Sequence, residues 1–188
     1  MPGRQVARLI PDASLRGVQL ALTRLEQHGL VRADPYGHAV LYSANEQHLL
    51  WPAIKDLVAA IDEAPRRLRD FIRHEVVRSV GEDEAASVSV AFFGSVARGT
   101  STPDSDVDLL VVTPQTEDDE RVEALISHLI DDIPTITGNA CNVYHATRAR
   151  LVELVREQDP MVASWLQDVE MITGPDVRPA LEGAPWPA

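Results

Sequence analysis

The sequence predicts a mixed α/β (α+β) protein, and three observations support that fold class. Residues 88–93 and 107–112 are short apolar runs bounded by turn residues, a pattern typical of buried strands. Further along the chain, apolar residues at helical spacing alternate with two more strand-like runs. The first 45 residues instead predict two helices and a β-hairpin. We therefore expect a small N-terminal domain and a larger C-terminal domain in which helices flank a mixed sheet.

The domain boundaries follow from the same patterns. We expect an N-terminal domain over residues 1–45, a helical connector over 46–81 and the larger domain over 82–188. Besides its first two strands, the larger domain is predicted to contain helices at 117–131, 148–157 and 160–167 and strands at 140–146 and 169–172, with Thr147 as the cap of the second of these helices.

The connector is predicted to be a pair of helices. Asn45 is expected to cap a helix over 46–64, and Pro65 to open a second helix over 66–80. Pro52 lies within the first pattern and is expected to kink or restart it. The wide apolar face of the pair is typical of core or dimer contacts, so a homodimer is one expectation.

Composition places the chain among proteins of the cytoplasm. With 188 residues and 45% apolar content, it can form one or two domains with real cores. The single cysteine, Cys141, excludes an internal disulfide and is typical of a reducing compartment. No apolar run approaches the ~18 residues of a membrane span, and no signal-peptide pattern is present. We expect a cytoplasmic protein with no membrane contact.

Charge is distributed unevenly along the chain. Residues 1–73 carry a net charge of +2, whereas residues 74–188 carry a net charge of −14. The acidic part should repel a bare phosphate backbone. Any contact with nucleic acid is therefore expected in the N-terminal part.

The N-terminal domain is predicted to begin with two helices. The first covers residues 4–10, and Ser14 is a natural N-cap for the second, over 15–28, with Gly29 placed to end it. Its predicted buried face consists of Val18, Leu22 and Leu25. Residues 30–34 and 39–43 then predict two strands around a turn at 35–38.

This order of elements, together with residues 22–31, resembles bacterial winged-helix regulators. In that family the second helix enters the major groove of DNA with its N-terminal residues. The resemblance implies base contacts by the exposed residues Arg16, Gln19, Leu20 and Thr23, and wing contacts near the DNA backbone by Arg32, Tyr36 and His38. A winged helix normally has one more helix before these two. We therefore expect either that the start of the chain is truncated or misassigned, or that helix 46–64 or a partner chain takes the place of the missing helix. The alternative is a small helical cap that binds no DNA.

The chemistry of the larger domain is predicted at the end of its first strand and the start of its second. Asp106 and Asp108 are two residues apart on a strand and should project side by side. Two adjacent carboxylates repel each other unless they share a proton or a cation, and they suit a hard ion such as Mg2+. Gly94 lets the backbone approach a ligand, and Ser95 would begin a short helix whose N–H groups attract phosphate. Arg98 could add a planar donor fork.

These residues resemble the nucleotidyltransferase superfamily that includes DNA polymerase beta and the minimal nucleotidyltransferases of bacteria. The pattern is Phe93-Gly94-Ser95 followed by Asp106-Val107-Asp108, and the stretches at 97–99 and 105–106 match the bacterial branch. The resemblance implies two-metal transfer of a nucleoside monophosphate from a triphosphate, expected to be ATP, to a hydroxyl. Asp106 and Asp108 would hold Mg2+ or Mn2+. The nucleotide would be held by Gly94, Ser95, Arg98 and Ser105. The resemblance also implies an antitoxin role, with a toxin or another protein as acceptor.

Two other interpretations of the acidic motif are an EF-hand loop and an ordinary acidic strand end. An EF-hand loop counted from Asp104 needs Gly at its sixth position and Glu at its twelfth, where Leu109 and Gln115 stand, so it is excluded. An acidic strand end in an ordinary α/β domain would not account for Gly94-Ser95 at the end of the preceding strand.

The third carboxylate of the family is not found in the sequence. Active members carry it on a later strand, but residues 133–152 contain neither Asp nor Glu. The resemblance aligns His145 with that position, where it could act as a general base. The alternative is a site that has lost activity. Two hypotheses follow: a metal-dependent transferase guided by a winged helix, and a DNA-binding regulator whose transferase fold senses nucleotide or dimerises.

Overall fold

The computed structural model describes residues 1–10, 13–114 and 119–186. The chain forms two compact units, Met1–Ala64 and Pro65–Ala188. Within the described residues, no helix combines the length and apolarity needed to cross a membrane.

The first unit begins with two helices and a hairpin, in the predicted order. These elements are α1 (Gly3–Leu9), α2 (Leu15–Gln27), β1 (Val31–Tyr36) and β2 (Ala39–Ala44). Ser14 caps α2, since its Oγ accepts a hydrogen bond from the Gly17 N–H at 3.0 Å. Val18 and Leu22 are buried, but Leu25, predicted for the same face, is 39% exposed.

The predicted pair of connector helices is a single helix, α3 (Trp51–Val80). Its start differs from the prediction because the Asn45 side chain, expected as a cap, instead donates to the Gly29 carbonyl at 2.8 Å and accepts from Arg32. Pro65 lies inside α3 rather than opening a new helix. A proline there removes the donor for the Ile61 carbonyl, and Ile61 is exposed, so water can satisfy that oxygen.

The second unit is built on a four-stranded mixed sheet, which confirms the predicted fold class. Its strands are β3 (Ser89–Phe93), β4 (Val107–Thr113), β5 (Cys141–Thr147) and β6 (Glu170–Thr173), in the spatial order β5-β4-β3-β6. The β4–β5 pair is parallel and the other two pairs are antiparallel.

Helices precede, connect and follow the strands of this sheet. They are α4 (Glu82–Ala85), α5 (Gly94–Ala97), α6 (Glu120–Thr137), α7 (Arg148–Glu157), α8 (Pro160–Asp168) and α9 (Arg178–Leu181). The α6 helix is longer than predicted at its C-terminal end, since it continues through Pro134. Glu117 and Asp118, predicted to start it, lie outside the described residues. Thr147 caps α7, as predicted, by accepting from the Arg150 N–H at 3.1 Å.

The alternation of side chains along each strand separates two cores. On one face, Leu109 and Val111 of β4 pack with Ile72 of α3 and Leu125 of α6. On the other face, the intervening residues of β4, Leu110 and Val112, pack with Leu151, Leu154 and the fully buried Trp165. Asp106 and Asp108 are in phase with Leu110 and Val112, so the acidic pair belongs to the Trp165 face of the sheet.

Candidate active site

The turn after β3 passes unusually close to a carboxylate of β4. Phe93 pairs with Asp108 across the two strands, and Gly94 follows with a φ of +71°. A Cβ built on Gly94 would lie 2.7 Å from Asp108 Oδ2. Both the backbone angle and the close approach therefore require glycine at position 94.

The structure brings Asp106 and Asp108 together at one point. Asp106 immediately precedes β4 and Asp108 is its second residue. The Asn142 side-chain amide, on β5, donates to Asp106 Oδ2 at 3.1 Å and to Asp108 Oδ1 at 3.0 Å. The two carboxylates thus converge on a single nitrogen, which offsets their mutual repulsion.

Asn142 is a site residue that the sequence analysis missed. It lies directly opposite Asp108 in the parallel β4–β5 pair. The only available signal was a polar residue within a strand-like run, between Cys141 and Val143. That signal does not say which residue of β4 it would face, because parallel register is not encoded locally.

His145, predicted to stand beside the acidic pair, does not lie there. It pairs with Val111, and its Nε2 is 3.0 Å from Thr113 Oγ1. It lies three positions after Asn142, and an odd spacing on a strand places two side chains on opposite faces of the sheet. His145 therefore belongs to the face opposite the carboxylates.

Two of the remaining predicted nucleotide-binding residues shape the turns around the pair. The Ser105 Oγ accepts from the Thr102 N–H at 2.8 Å and so closes the turn before Asp106. Ser95 lies in the first turn of α5, where its carbonyl accepts from the Thr100 N–H at 3.0 Å.

Arg98 and Gly94 share a partner that the sequence analysis also missed. The Gly94 N–H donates to Asp168 Oδ2 at 3.2 Å, and Arg98 Nη1 donates to the same oxygen. Asp168 is the last residue of α8, and its side chain is 3% exposed against 51% for Arg98. No local pattern links residue 168 to the motif, because the contact depends on how α8 packs.

Cys141 is excluded as a nucleophile by its surroundings. It is buried, and burial raises the pKa of its thiol to about 12, with a further contribution from the negative charge of Asp108. The thiol therefore stays protonated at neutral pH.

The donor set fits a metal held jointly by protein and substrate. In the part of the chain that the structure describes, no group of three or more His, Cys, Asp or Glu residues is placed to hold a metal ion. Mg2+ in nucleotide sites is commonly bound by one or two carboxylates together with substrate phosphates. The converging oxygens of Asp106 and Asp108 fit that arrangement.

The residues predicted to contact DNA lie on two elements of the first unit. Arg16, Gln19 and Thr23 are exposed on α2, and Thr23 Oγ1 donates to the Gln19 carbonyl at 3.0 Å. On the hairpin, Tyr36 and His38 are exposed, and Arg32 donates to the side chains of Asn45 and Gln47. Arg32 thus ties the hairpin to the turn that precedes α3.

Residues 73–158 match the family model of the nucleotidyltransferase domain. We call this stretch the nucleotidyltransferase-like region. It covers somewhat less than half of the chain. It contains Gly94, the acidic pair and Asn142, but it ends before Asp168.

Comparison with solved structures finds similarity at low levels. The chain is similar to a toxin–antitoxin crystal structure with AMP-PNP at 14% identity, with 54% of this chain and 73% of that chain covered and a TM-score of 0.34. A mutant of the toxin–antitoxin MntA-HpeT gives 10% identity, 54% and 72% coverage and a TM-score of 0.33. The tri-AMPylated HEPN toxin of Shewanella oneidensis in complex with MNT antitoxin gives 11% identity, with 56% of this chain and 72% of that chain covered and a TM-score of 0.31. TM-scores this low do not identify a partner or an activity for this chain. No curated protein matches it.

Replacing Gly94 should displace the Asp108 carboxylate. Gly94→Ala places a methyl group against Asp108 Oδ2, whereas Gly99→Ala, at a similar φ of +65°, meets nothing within 4 Å. Both variants should lose about 1–2 kcal/mol of stability through the left-handed backbone. Only Gly94→Ala should shift the NMR signals of the Asn142 side-chain amide. Unchanged amide signals in Gly94→Ala would contradict the close approach.

Proposed function

We propose that this protein is a Mg2+-dependent nucleotidyltransferase that moves a nucleoside monophosphate from a nucleoside triphosphate to a hydroxyl of a protein or nucleic acid. The observation that carries the proposal is the convergence of Asp106 and Asp108 on one point beside the Gly94 turn. The match of residues 73–158 to the nucleotidyltransferase domain supports it.

Asp106 and Asp108 would hold the metal ion, with ATP as the expected triphosphate. The bound ion would neutralise phosphate charge and orient the triphosphate. Asn142 keeps the two carboxylates together through its amide hydrogen bonds. Gly94 leaves room for the backbone turn against Asp108.

The transfer requires one bond to form and one to break. The acceptor oxygen bonds to the α-phosphorus, the bond from that phosphorus to the bridging oxygen of pyrophosphate breaks, and the hydroxyl releases a proton. The proton would pass to a carboxylate of the pair or to water. A carboxylate that also holds a cation is a weak base, so we expect slow transfer.

Asn142 favours the second hypothesis, a DNA-binding regulator that senses nucleotide with little or no turnover. A neutral amide opposite Asp108 adds neither the charge nor the basicity of a third carboxylate. Nucleotide and metal binding would persist under this alternative, while transfer would be weak or absent.

Incubation with labelled nucleoside triphosphates, Mg2+ or Mn2+, and total cell protein and RNA separates the two hypotheses. A transferase labels one acceptor class, and a toxin or another protein is the acceptor that the sequence resemblance implies. A nucleotide sensor binds the triphosphate but labels neither fraction.

The acidic pair should be required for stabilisation by nucleotide. Mg2+ with ATP should raise the melting temperature of the wild type, because a ligand that binds only the native state stabilises it. Asp106→Asn combined with Asp108→Asn should abolish the shift. The control is Asp131→Asn combined with Asp132→Asn, which makes the same charge change on α6. A shift that survives in the first double variant would place the metal elsewhere.

Asn142→Asp should supply a carboxylate in register with Asp108. Without metal, a third like charge should lower the melting temperature; with Mn2+ or Mg2+, half-maximal stabilisation should occur at a lower ion concentration. Asn142→Ala is the matched control, since it removes the amide without adding charge and should lower stability without strengthening metal binding. Equal metal dependence in the two variants would show that position 142 does not face the metal.

If α2 and the hairpin bind DNA, Arg16→Ala and Gln19→Ala should each reduce the free energy of binding to a specific DNA site by ~1–3 kcal/mol. Fluorescence anisotropy with the DNA upstream of the protein's own gene measures this, and affinity should fall as salt rises. Arg24→Ala, in the last turn of α2, is the control and should have a smaller effect. An absence of binding at low salt would contradict a DNA-binding role.

A further inference from the structure

We infer that Asp168 is a positioning residue for the turn at residues 94–98, where the triphosphate would bind. It fixes Arg98 and the Gly94 N–H so that the rest of the guanidinium faces the triphosphate. The inference rests on the proposed function and extends it to a residue outside the nucleotidyltransferase-like region.

One oxygen organises the turn from residue 94 to residue 98. Asp168 Oδ2 accepts from the Gly94 N–H at 3.2 Å and from Arg98 Nη1. The Arg98 N–H also donates to the Gly94 carbonyl at 3.1 Å. The two ends of α5 are therefore tied both to each other and to the end of α8.

The surroundings of Asp168 make its pairing with Arg98 hard to break. Its side chain is 3% exposed, and its Oδ1 is buried without a hydrogen-bond partner among the described residues. It also ends α8, where the helix dipole disfavours a negative charge. If Arg98 moved away, a buried carboxylate would lose its counter-charge, which carries a large free-energy penalty.

Arg98 is consequently held in one orientation but remains available to a ligand. A guanidinium carries five N–H donors in a fixed fork, and the bond to Asp168 uses Nη1. The side chain is still 51% exposed. A fixed and half-exposed fork can bind phosphate without losing side-chain freedom on binding, which is the advantage of preorganisation.

The test is a double-mutant cycle on the affinity for ATP in the presence of Mg2+, measured by calorimetry. Asp168→Asn keeps an acceptor for the Gly94 N–H but removes the charge that orients Arg98. We expect it to weaken ATP binding about tenfold, and Arg98→Ala at least as much. The double variant should bind no more weakly than Arg98→Ala alone. Asp176→Asn, which breaks the exposed pair with Arg178, is the control and should leave affinity unchanged.

Three results would overturn the inference. The first is a loss of ATP affinity in the double variant that equals the sum of the two single losses, and the second is unchanged affinity in Asp168→Asn. The third is tighter binding in Asp168→Asn, which would make Asp168 a competitor of phosphate for Arg98. If Asp168→Asn does not fold, Arg98→Lys takes its place, because it keeps a cation for Asp168 but loses the fork. Weaker ATP binding at an unchanged melting temperature would support the inference, and unchanged binding would overturn it. Failure of the wild type to bind ATP with Mg2+ would overturn the proposed function as well. A wild type that binds ATP normally while the variants give one of the contrary results would overturn only the role of Asp168.

Discussion

The candidate site depends on the parallel pairing of β4 with β5, because that pairing places one amide opposite two carboxylates. Asp106 and Asp108 carry like charges close together, which is unfavourable without a compensating group. The Asn142 amide compensates with a hydrogen bond to each of them. A shift of β5 by one residue would turn Asn142 to the opposite face and leave the pair unsupported.

The same sheet positions the rest of the site through its two faces. The face that carries the acidic pair packs on Trp165 of α8, and Asp168 lies at the end of that helix. Trp165 of α8 therefore fills part of a core, and the packing of the same helix places the Asp168 carboxylate beside the Gly94 turn. Stability and site geometry are thus coupled through one helix, since Trp165 and Asp168 lie one turn apart.

The local features of the site could be predicted, and the long-range ones could not. Glycine at position 94 and two aspartates at strand spacing are signals contained within a few residues, and the structure brings them together. The family resemblance aligned His145 with the third acid, but the parallel register of β4 and β5 places its side chain on the other face. In α3, the rule that proline ends a helix did not hold, because Ile61, whose carbonyl loses its donor, is an exposed residue.

The sequence by itself determined the fold class, the order along the chain of the four strands of the mixed sheet, the caps Ser14 and Thr147, and the adjacency of Asp106 and Asp108. These follow from periodicity and from hydrogen bonds between residues close in the chain. Only the tertiary structure decided that Asn142 faces the pair, that His145 does not, and that Asp168 holds Arg98. Each of these depends on strand register or helix packing, which are set by contacts between segments far apart in sequence.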